Sequence, residues 1–182
     1  SDLVGETHPD ADKPDAYSWC KAPRWRDKVV QCGALARQVV DAHPLARDLV
    51  ARGGGTVMSR EIGRLLEIAR VLPLMEAWVR DLAPGEPFCV EAALPDQGVG
   101  VGLVEAARGA LGHWLVVRNG HIQNYQIIAP TTWNFSPRDA AGTPGALEQA
   151  LVGSPVGDGA DMPLAVQHVV RSFDPCMVCT VH

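Results

Sequence analysis

The last ten residues, FDPCMVCTVH, place the strongest constraint on how this chain can fold. Cys176, Cys179 and His182 follow one another at intervals of three, so in a helix their side chains lie on nearly one face. Asp174 and Pro175 suit the N-cap and first position of such a helix, whose N-terminal dipole favours the thiolate form of Cys176. The sequence therefore predicts a short final helix that presents two thiolates and an imidazole together.

Several kinds of site could use this donor set. A structural zinc site usually takes four ligands from two C-x-x-C pairs, and this chain has only one pair. A thiol redox motif normally lies early in a strand–helix unit rather than at a chain end. Two buried cysteines without chemistry are a third interpretation. The other cysteines, Cys20, Cys32 and Cys89, have no ligand-like spacing, and we predict that they are small buried residues.

Composition excludes several classes of partner. A net charge of -5 without a run of Lys or Arg argues against nucleic-acid binding. No apolar stretch reaches the roughly 18 residues of a membrane span, and the acidic opening lacks the regions of a signal peptide. Five cysteines, an odd number, favour a reducing compartment. We therefore predict a cytoplasmic protein, with any membrane association made through partners, that is either processed or part of a longer polypeptide.

Periodicity predicts an α+β fold, mainly a helical bundle with a small β-hairpin or sheet region. A helical pattern over residues 33–52 is interrupted at Pro44, and a more regular one from Met58 to Leu82 predicts a long buried helix. Asn119-Gly120 between two apolar runs predicts a hairpin. Further helical patterns cover residues 147–152 and 162–173.

These patterns divide the chain into four regions. An extended segment covers residues 1–16, and a helical region covers residues 17–92. Residues 93–146 form a β-hairpin and loop region, and residues 147–182 form a C-terminal helical region with the C-x-x-C pair. The chain has no internal repeat and no low-complexity tract.

Three blocks, in this order, resemble the large subunit of [NiFe] hydrogenases. DPCMVCTVH is similar to the family's C-terminal nickel-binding signature D-P-C-x-x-C-x-x-H. Residues 102–139 resemble the block in which E-A-P-R-G is followed by a histidine, a hairpin and P-T-x-W-N, and YSWCKAPRW resembles a third block. The resemblance covers most of the chain from Tyr17 onward. It implies that the chain is the C-terminal part of a larger subunit.

The resemblance assigns the metal ligands. In the family, four cysteine thiolates hold nickel, and two of them bridge to an iron that carries CO and cyanide. By position, Cys176 is a terminal nickel thiolate and the acceptor of a proton when H2 splits, and Cys179 bridges nickel and iron. Thiolates are soft donors that suit nickel. His182 and the main-chain carbonyl of Ile127 match ligands of a magnesium-type ion.

The resemblance also assigns residues around the metals. Arg108, in EAARG, matches an arginine that overhangs the site and bonds one cyanide, and we expect an electrostatic role for it. Thr131 matches the residue that bonds the second cyanide, Leu111 the apolar contact of CO, and Asp174 a carboxylate near the metals and Arg108. The family's proline before this arginine is Ala107 here, which loses rigidity and regains a backbone N–H.

The second C-x-x-C pair of the family is absent, so the chain supplies two of four nickel thiolates. The resemblance therefore implies two partners, the N-terminal portion of the large subunit and a small subunit whose iron–sulfur clusters carry the electrons away. The implied reaction converts H2 into two protons and two electrons. Two alternatives stay open: an H2-sensing module that signals to a kinase, and a zinc-binding structural domain without redox chemistry.

Overall fold

The computed structural model describes residue 7, residues 10–157 and residues 163–180, and within them it contains helices and one antiparallel sheet of three strands. This arrangement confirms the predicted α+β class. The elements, in chain order, are α1 Ala34–Val40, α2 Pro44–Gly53, α3 Val57–Asp81, β1 Gln97–Ala106, β2 Gly109–Arg118, β3 His121–Ile128, α4 Pro130–Asn134, α5 Ala146–Leu151, α6 Leu164–Ser172 and α7 Met177–Thr180. In the described part of the chain, no helix is long and apolar enough to cross a bilayer.

The break predicted at Pro44 is confirmed, because α1 ends at Val40 and α2 begins at Pro44. Proline suits the first helical position, where its missing N–H costs no helical hydrogen bond. Helix α3 then begins with a capping box. The Thr56 hydroxyl accepts from the Ser59 N–H at 3.1 Å, and the Ser59 hydroxyl accepts from the Thr56 N–H at 2.7 Å. Reciprocal bonds of this kind satisfy two N–H groups that a helix start leaves free.

The long helix forms as predicted, but the prediction that it is buried is wrong. Only Ser59, Arg60 and Gly63 are buried within it. Six of its apolar residues are half exposed or more, namely Leu65, Ile68, Leu72, Met75, Trp78 and Val79. Helices α1, α2 and α6 pack against α3 and cover one side of it, so the rest of its apolar surface has no cover within the described residues.

Both hairpins of the sheet close through two-residue turns. Arg118 pairs with His121 across Asn119 and Gly120, whose φ angles of 53° and 69° are those of a type I′ turn. The predicted hairpin is therefore confirmed. Strand β1 was not predicted, because glycine at alternate positions weakens a strand signal. It forms because every residue pairs with β2 in continuous register.

Gly109 lets β2 begin against the chain that precedes α1. Its φ is 132°, and a Cβ placed on it would lie 2.7 Å from both Cys32 Sγ and the Gly33 nitrogen. We expect Gly109→Ala to lower the free energy of unfolding by about 2–5 kcal/mol, from backbone strain and overpacking together. Chemical denaturation measures this loss. Gly102→Ala is the matched control, because nothing lies within 4 Å of its Cβ position. Equal losses in the two variants would contradict the argument.

Candidate metal centre

The terminal segment leaves α6 through a left-handed residue. Asp174 has a φ of 51°, and its N–H donates to the Arg171 carbonyl at 2.9 Å. A left-handed residue just past a helix end, with this bond, is a common way to terminate a helix. The prediction that Asp174 is the N-cap of the last helix is therefore wrong, since Asp174 ends α6 and α7 begins only at Met177.

The two terminal cysteines lie against each other at the start of α7. The Cys179 N–H donates to the Cys176 carbonyl at 3.0 Å. The hydrogen bond from the Cys179 thiol lowers the pKa of Cys176, and the Cys179 N–H and the Arg108 charge act in the same direction. Burial and that same contact with Cys176 raise the pKa of Cys179. One thiol is thus biased towards the thiolate and the other towards the protonated form. His182 lies outside the described residues.

Thr131 holds the Cys176 backbone from the opposite side. Its side-chain oxygen accepts from the Cys176 N–H at 3.1 Å, and Thr131 is 2% exposed. Because Thr131 Oγ1 acts as the acceptor in this bond, its O–H group can donate to another acceptor. Helix α4, which carries Thr131, is fixed by Asn134, whose amide exchanges two 3.0 Å hydrogen bonds with the backbone of Cys32. Asn134 was not predicted as a site residue, although it lies in the P-T-x-W-N block.

Arg108 occupies the turn between β1 and β2 and faces the terminal segment. Its Nε lies 3.4 Å from Asp174 Oδ2, and both side chains are nearly half exposed. An exposed pair of this kind contributes only about 0–1 kcal/mol to stability. The pair matters for the site because it lies near the two thiols, whose pKa values the Arg108 charge lowers.

Arg37 on α1 fixes the turn that carries Arg108. Its guanidinium donates to both carboxylate oxygens of Glu67 at 2.6 Å and to Glu105 at 2.9 Å. Its other bonds go to the carbonyls of Ala106 and Ala107, at 2.9 and 3.0 Å. All five N–H groups of the side chain are thereby used. Arg37 was not predicted as a site residue, because no motif in ALARQVV distinguishes it.

The remaining predicted residues lie at three different places. Ala107 lines a cavity of about 30 Å³ together with Arg108 and Asp174. Leu111 lines a larger groove of about 940 Å³ between the sheet and α1. The Ile127 carbonyl accepts a hydrogen bond from Lys21 Nζ at 3.1 Å.

The other cysteines differ from one another in burial. Burial raises the pKa of Cys32 to about 11 and also raises the pKa of Cys20. Both of these side chains are partly buried, whereas Cys89 is exposed, so the prediction of a buried Cys89 is wrong. Cys89 lies in the segment between α3 and β1, which is exposed over most of its length. His113 forms a hydrogen bond through Nδ1 with the Tyr125 hydroxyl at 2.7 Å.

In the metal-free protein, the pH at which each cysteine reacts should follow the pKa of its thiol. We expect iodoacetamide to modify Cys176 with a pH midpoint below that of an ordinary thiol, because a lowered pKa leaves more thiolate at any pH below it. Cys179 and Cys32 should react only at higher pH. Mass spectrometry of alkylated peptides over a pH series measures each midpoint, with exposed Cys89 as the reference for access. A midpoint for Cys176 above that of Cys179 would contradict this order.

The donor set is soft but incomplete. The two thiols lie together, and thiolates select nickel, zinc and similar metals over hard cations. Within residues 10–157 and 163–180, no group of three or more His, Cys, Asp or Glu side chains is placed to hold a metal ion.

Comparison with known proteins shows that the similarity to hydrogenase large subunits extends along nearly the whole chain. A family model described as nickel-dependent hydrogenase matches residues 2–182. The chain is 38% identical to the periplasmic [NiFeSe] hydrogenase large subunit of Desulfomicrobium baculatum, over 98% of this chain and 38% of that protein. It is 33% identical to the uptake hydrogenase large subunit of Afipia carboxidovorans, over 94% of this chain and 33% of the relative. A crystal structure of the D. baculatum [NiFeSe] hydrogenase superposes with a TM-score of 0.86 at 38% identity, covering 99% of this chain and 40% of the other. The chain thus spans about two fifths or less of these relatives.

Proposed function

The chain belongs to the nickel-dependent hydrogenase family, and from this premise we propose that it is the C-terminal portion of a hydrogenase large subunit that oxidises H2 to two protons and two electrons. One observation carries the proposal: the Cys176 and Cys179 thiols lie together near Arg108, which pairs with Asp174, and Thr131 holds the Cys176 backbone. This set joins soft metal donors, a cation and a carboxylate in one place. Such a combination suits a metal centre that handles protons.

The thiols fit a nickel–iron centre with CO and cyanide ligands. When bound, that centre supplies soft metals that bind H2 and make it acidic. With that centre in place, Cys176 Sγ would be the atom that takes the released proton, and Asp174 lies two residues before Cys176 in the chain. By their match to the family signature, Cys176 would be a terminal nickel ligand and Cys179 would be shared between nickel and iron, and the pKa values of the two thiols shift in opposite directions.

Four further residues are assigned to the non-protein ligands of that centre, by their match to the family's sequence blocks. We assign to Arg108 an electrostatic role towards an anionic cyanide, because Arg37 fixes the backbone of the hairpin turn that carries Arg108 by donating to the Ala107 carbonyl. The Thr131 hydroxyl has a proton available for a second cyanide. Leu111 offers an apolar wall for CO, and Ala107 offers the backbone N–H that a proline would lack.

A magnesium-type ion is assigned to the Ile127 carbonyl and His182. The carbonyl oxygen already accepts from an ammonium group, that of Lys21, so its lone pair faces a cation. Oxygen donors are those that magnesium prefers. The hydrogen bond from Lys21 supports the assignment of the Ile127 carbonyl.

The exposed apolar surface supports a large partner. The chain exposes 13160 Å², whereas a compact monomer of 19.5 kDa exposes about 8,500 Å². The excess lies on several sides, including the outer side of α3 and both faces of the sheet, where Val101, Leu103 and Val104 are exposed. A two-fold dimer covers one patch on each subunit. We propose that the N-terminal portion of the large subunit covers these surfaces and supplies two more thiolates, and that an iron–sulfur small subunit accepts the electrons.

Uptake of H2 is preferred to H2 sensing, because relatives of this chain include uptake hydrogenase large subunits. A signalling kinase as partner belongs only to the sensing alternative. The compartment is a separate proposal: cysteine usage favours the cytoplasm, whereas the D. baculatum relative is named as periplasmic.

Metal analysis of the purified assembly tests the function. We expect stoichiometric nickel and iron, infrared bands of CO and cyanide, and H2-dependent reduction of a dye. Zinc without nickel or iron would contradict the proposal and support a structural domain. Slow turnover together with a co-purifying kinase would instead support sensing.

A further inference from the structure

Arg60, on the first turn of α3, is a buried cation without a buried counter-charge. It is 6% exposed, and no ion pair among the described residues includes it. Burial, together with the nearby charge of Arg64, lowers the pKa of Arg60 to about 10. Buried charges are ordinarily paired, because removing them from water is costly. The contacts of Arg60 must therefore serve something other than charge neutralisation.

These contacts join two segments on either side of the candidate metal centre. On one side, Nε and one Nη of Arg60 donate to Gln31 Oε1 at 3.1 and 2.9 Å. On the other side, the second Nη donates to Ser172 Oγ at 3.0 Å, and the guanidinium stacks on the Phe173 ring at 3.7 Å. Arg64 adds a bond to the Ser172 carbonyl at 2.8 Å.

Both segments lead directly to the site. Ser172 and Phe173 immediately precede Asp174 and the terminal cysteines. Gln31 lies two residues before Gly33, whose Cβ position is 3.4 Å from the Arg108 carbonyl oxygen. Gln31, Arg60, Arg108 and Asp174 line the same cavity of about 30 Å³. The guanidinium thus connects the chain beneath Arg108 with the chain that carries Asp174.

We propose that Arg60 is a positioning residue for the metal centre. It fixes the end of α6, and Thr131 then fixes Cys176, so the terminal cysteines are held at two successive points. This role rests on the proposed function. Arginine suits it because one planar group bonds in two directions and stacks on an aromatic ring, whereas the ammonium of lysine is a compact point charge.

The test compares Arg60→Met, Arg60→Lys and, as control, the exposed Arg52→Met in the hydrogenase that contains this chain. Amide hydrogen exchange of peptides covering residues 172–180 is measured on metal-free protein. We expect Arg60→Met to accelerate exchange there about ten- to a hundredfold, the effect of losing hydrogen bonds from a charged group. Peptides of β1 and β2 should keep their wild-type rates. Arg60→Lys should accelerate exchange nearly as much as Arg60→Met does. Arg52→Met should leave the exchange rates unchanged.

Infrared spectra of the assembled enzyme provide the second measurement. We expect the CO and cyanide bands to shift or broaden in Arg60→Met while nickel is retained at least in part. Unchanged exchange at residues 172–180, a uniform acceleration in all peptides, or full rescue by lysine would each overturn the positioning role. If Arg60→Met does not fold, Ser172→Ala removes the acceptor and should give the same local pattern with a smaller increase. A wild-type assembly without nickel would overturn the proposed function itself, independently of the exchange result.

Discussion

Replacing Cys176 with serine should abolish nickel retention and H2-dependent dye reduction. An alcohol is protonated at neutral pH and is a hard donor, so serine cannot replace a thiolate whose pKa is lowered by its neighbours. The loss of activity should exceed about a hundredfold, because even the outer partners of metal ligands cost ten- to a hundredfold when they are mutated. Nickel content by elemental analysis and initial rates of dye reduction measure the two effects.

Cys89→Ser is the matched control for this experiment. Cys89 is exposed, and it lies in the segment between α3 and β1. We expect this variant to keep both nickel and activity. Nickel at wild-type occupancy in Cys176→Ser would show that Cys176 is not a ligand.

Replacing Arg108 with lysine should leave the metals bound but reduce turnover about a hundred- to a thousandfold. Removing one preorganised group that stabilises charge in an active site typically has an effect of this size. Lysine keeps the charge but lacks the planar fork that faces Asp174 at 3.4 Å. Turnover with H2 and nickel content distinguish the loss of chemistry from the loss of metal.

Arg118→Lys provides the control, since Arg118 is exposed and ends β2 at the other end of the strand. Its turnover should equal that of the wild type. If Arg108→Lys also turned over normally, Arg108 would have no part in the reaction. If nickel were lost instead, Arg108 would have a structural role.

Local structure was predicted from the sequence where the signal itself is local. The helical pattern breaks at Pro44 because proline has no backbone N–H to donate. The turn at Asn119-Gly120 forms because both residues readily adopt a positive φ. The helix from Val57 to Asp81 follows from periodicity over many turns. Each of these features depends on residues that are close in sequence.

Features that depend on distant partners were mispredicted or missed. Burial of α3 was predicted from its apolar residues, but burial needs a second surface, which the described residues do not supply on that side. One error was local: Asp174 was predicted to start a helix, yet its N–H donates to the Arg171 carbonyl three residues earlier and α6 ends there. Strand β1 is specified by pairing with β2 rather than by its own glycine-rich residues.

The sequence by itself determined the two thiols at a spacing of three, the blocks that reveal the family, and the order of helices and hairpin. Only the tertiary structure decided which groups surround those thiols. Thr131, Arg108 and Arg60 precede Cys176 by 45 or more positions, and they meet the terminal segment because the chain folds back on itself. Spacing along a chain specifies which groups share a helix face, whereas contact between distant segments depends on how the elements pack.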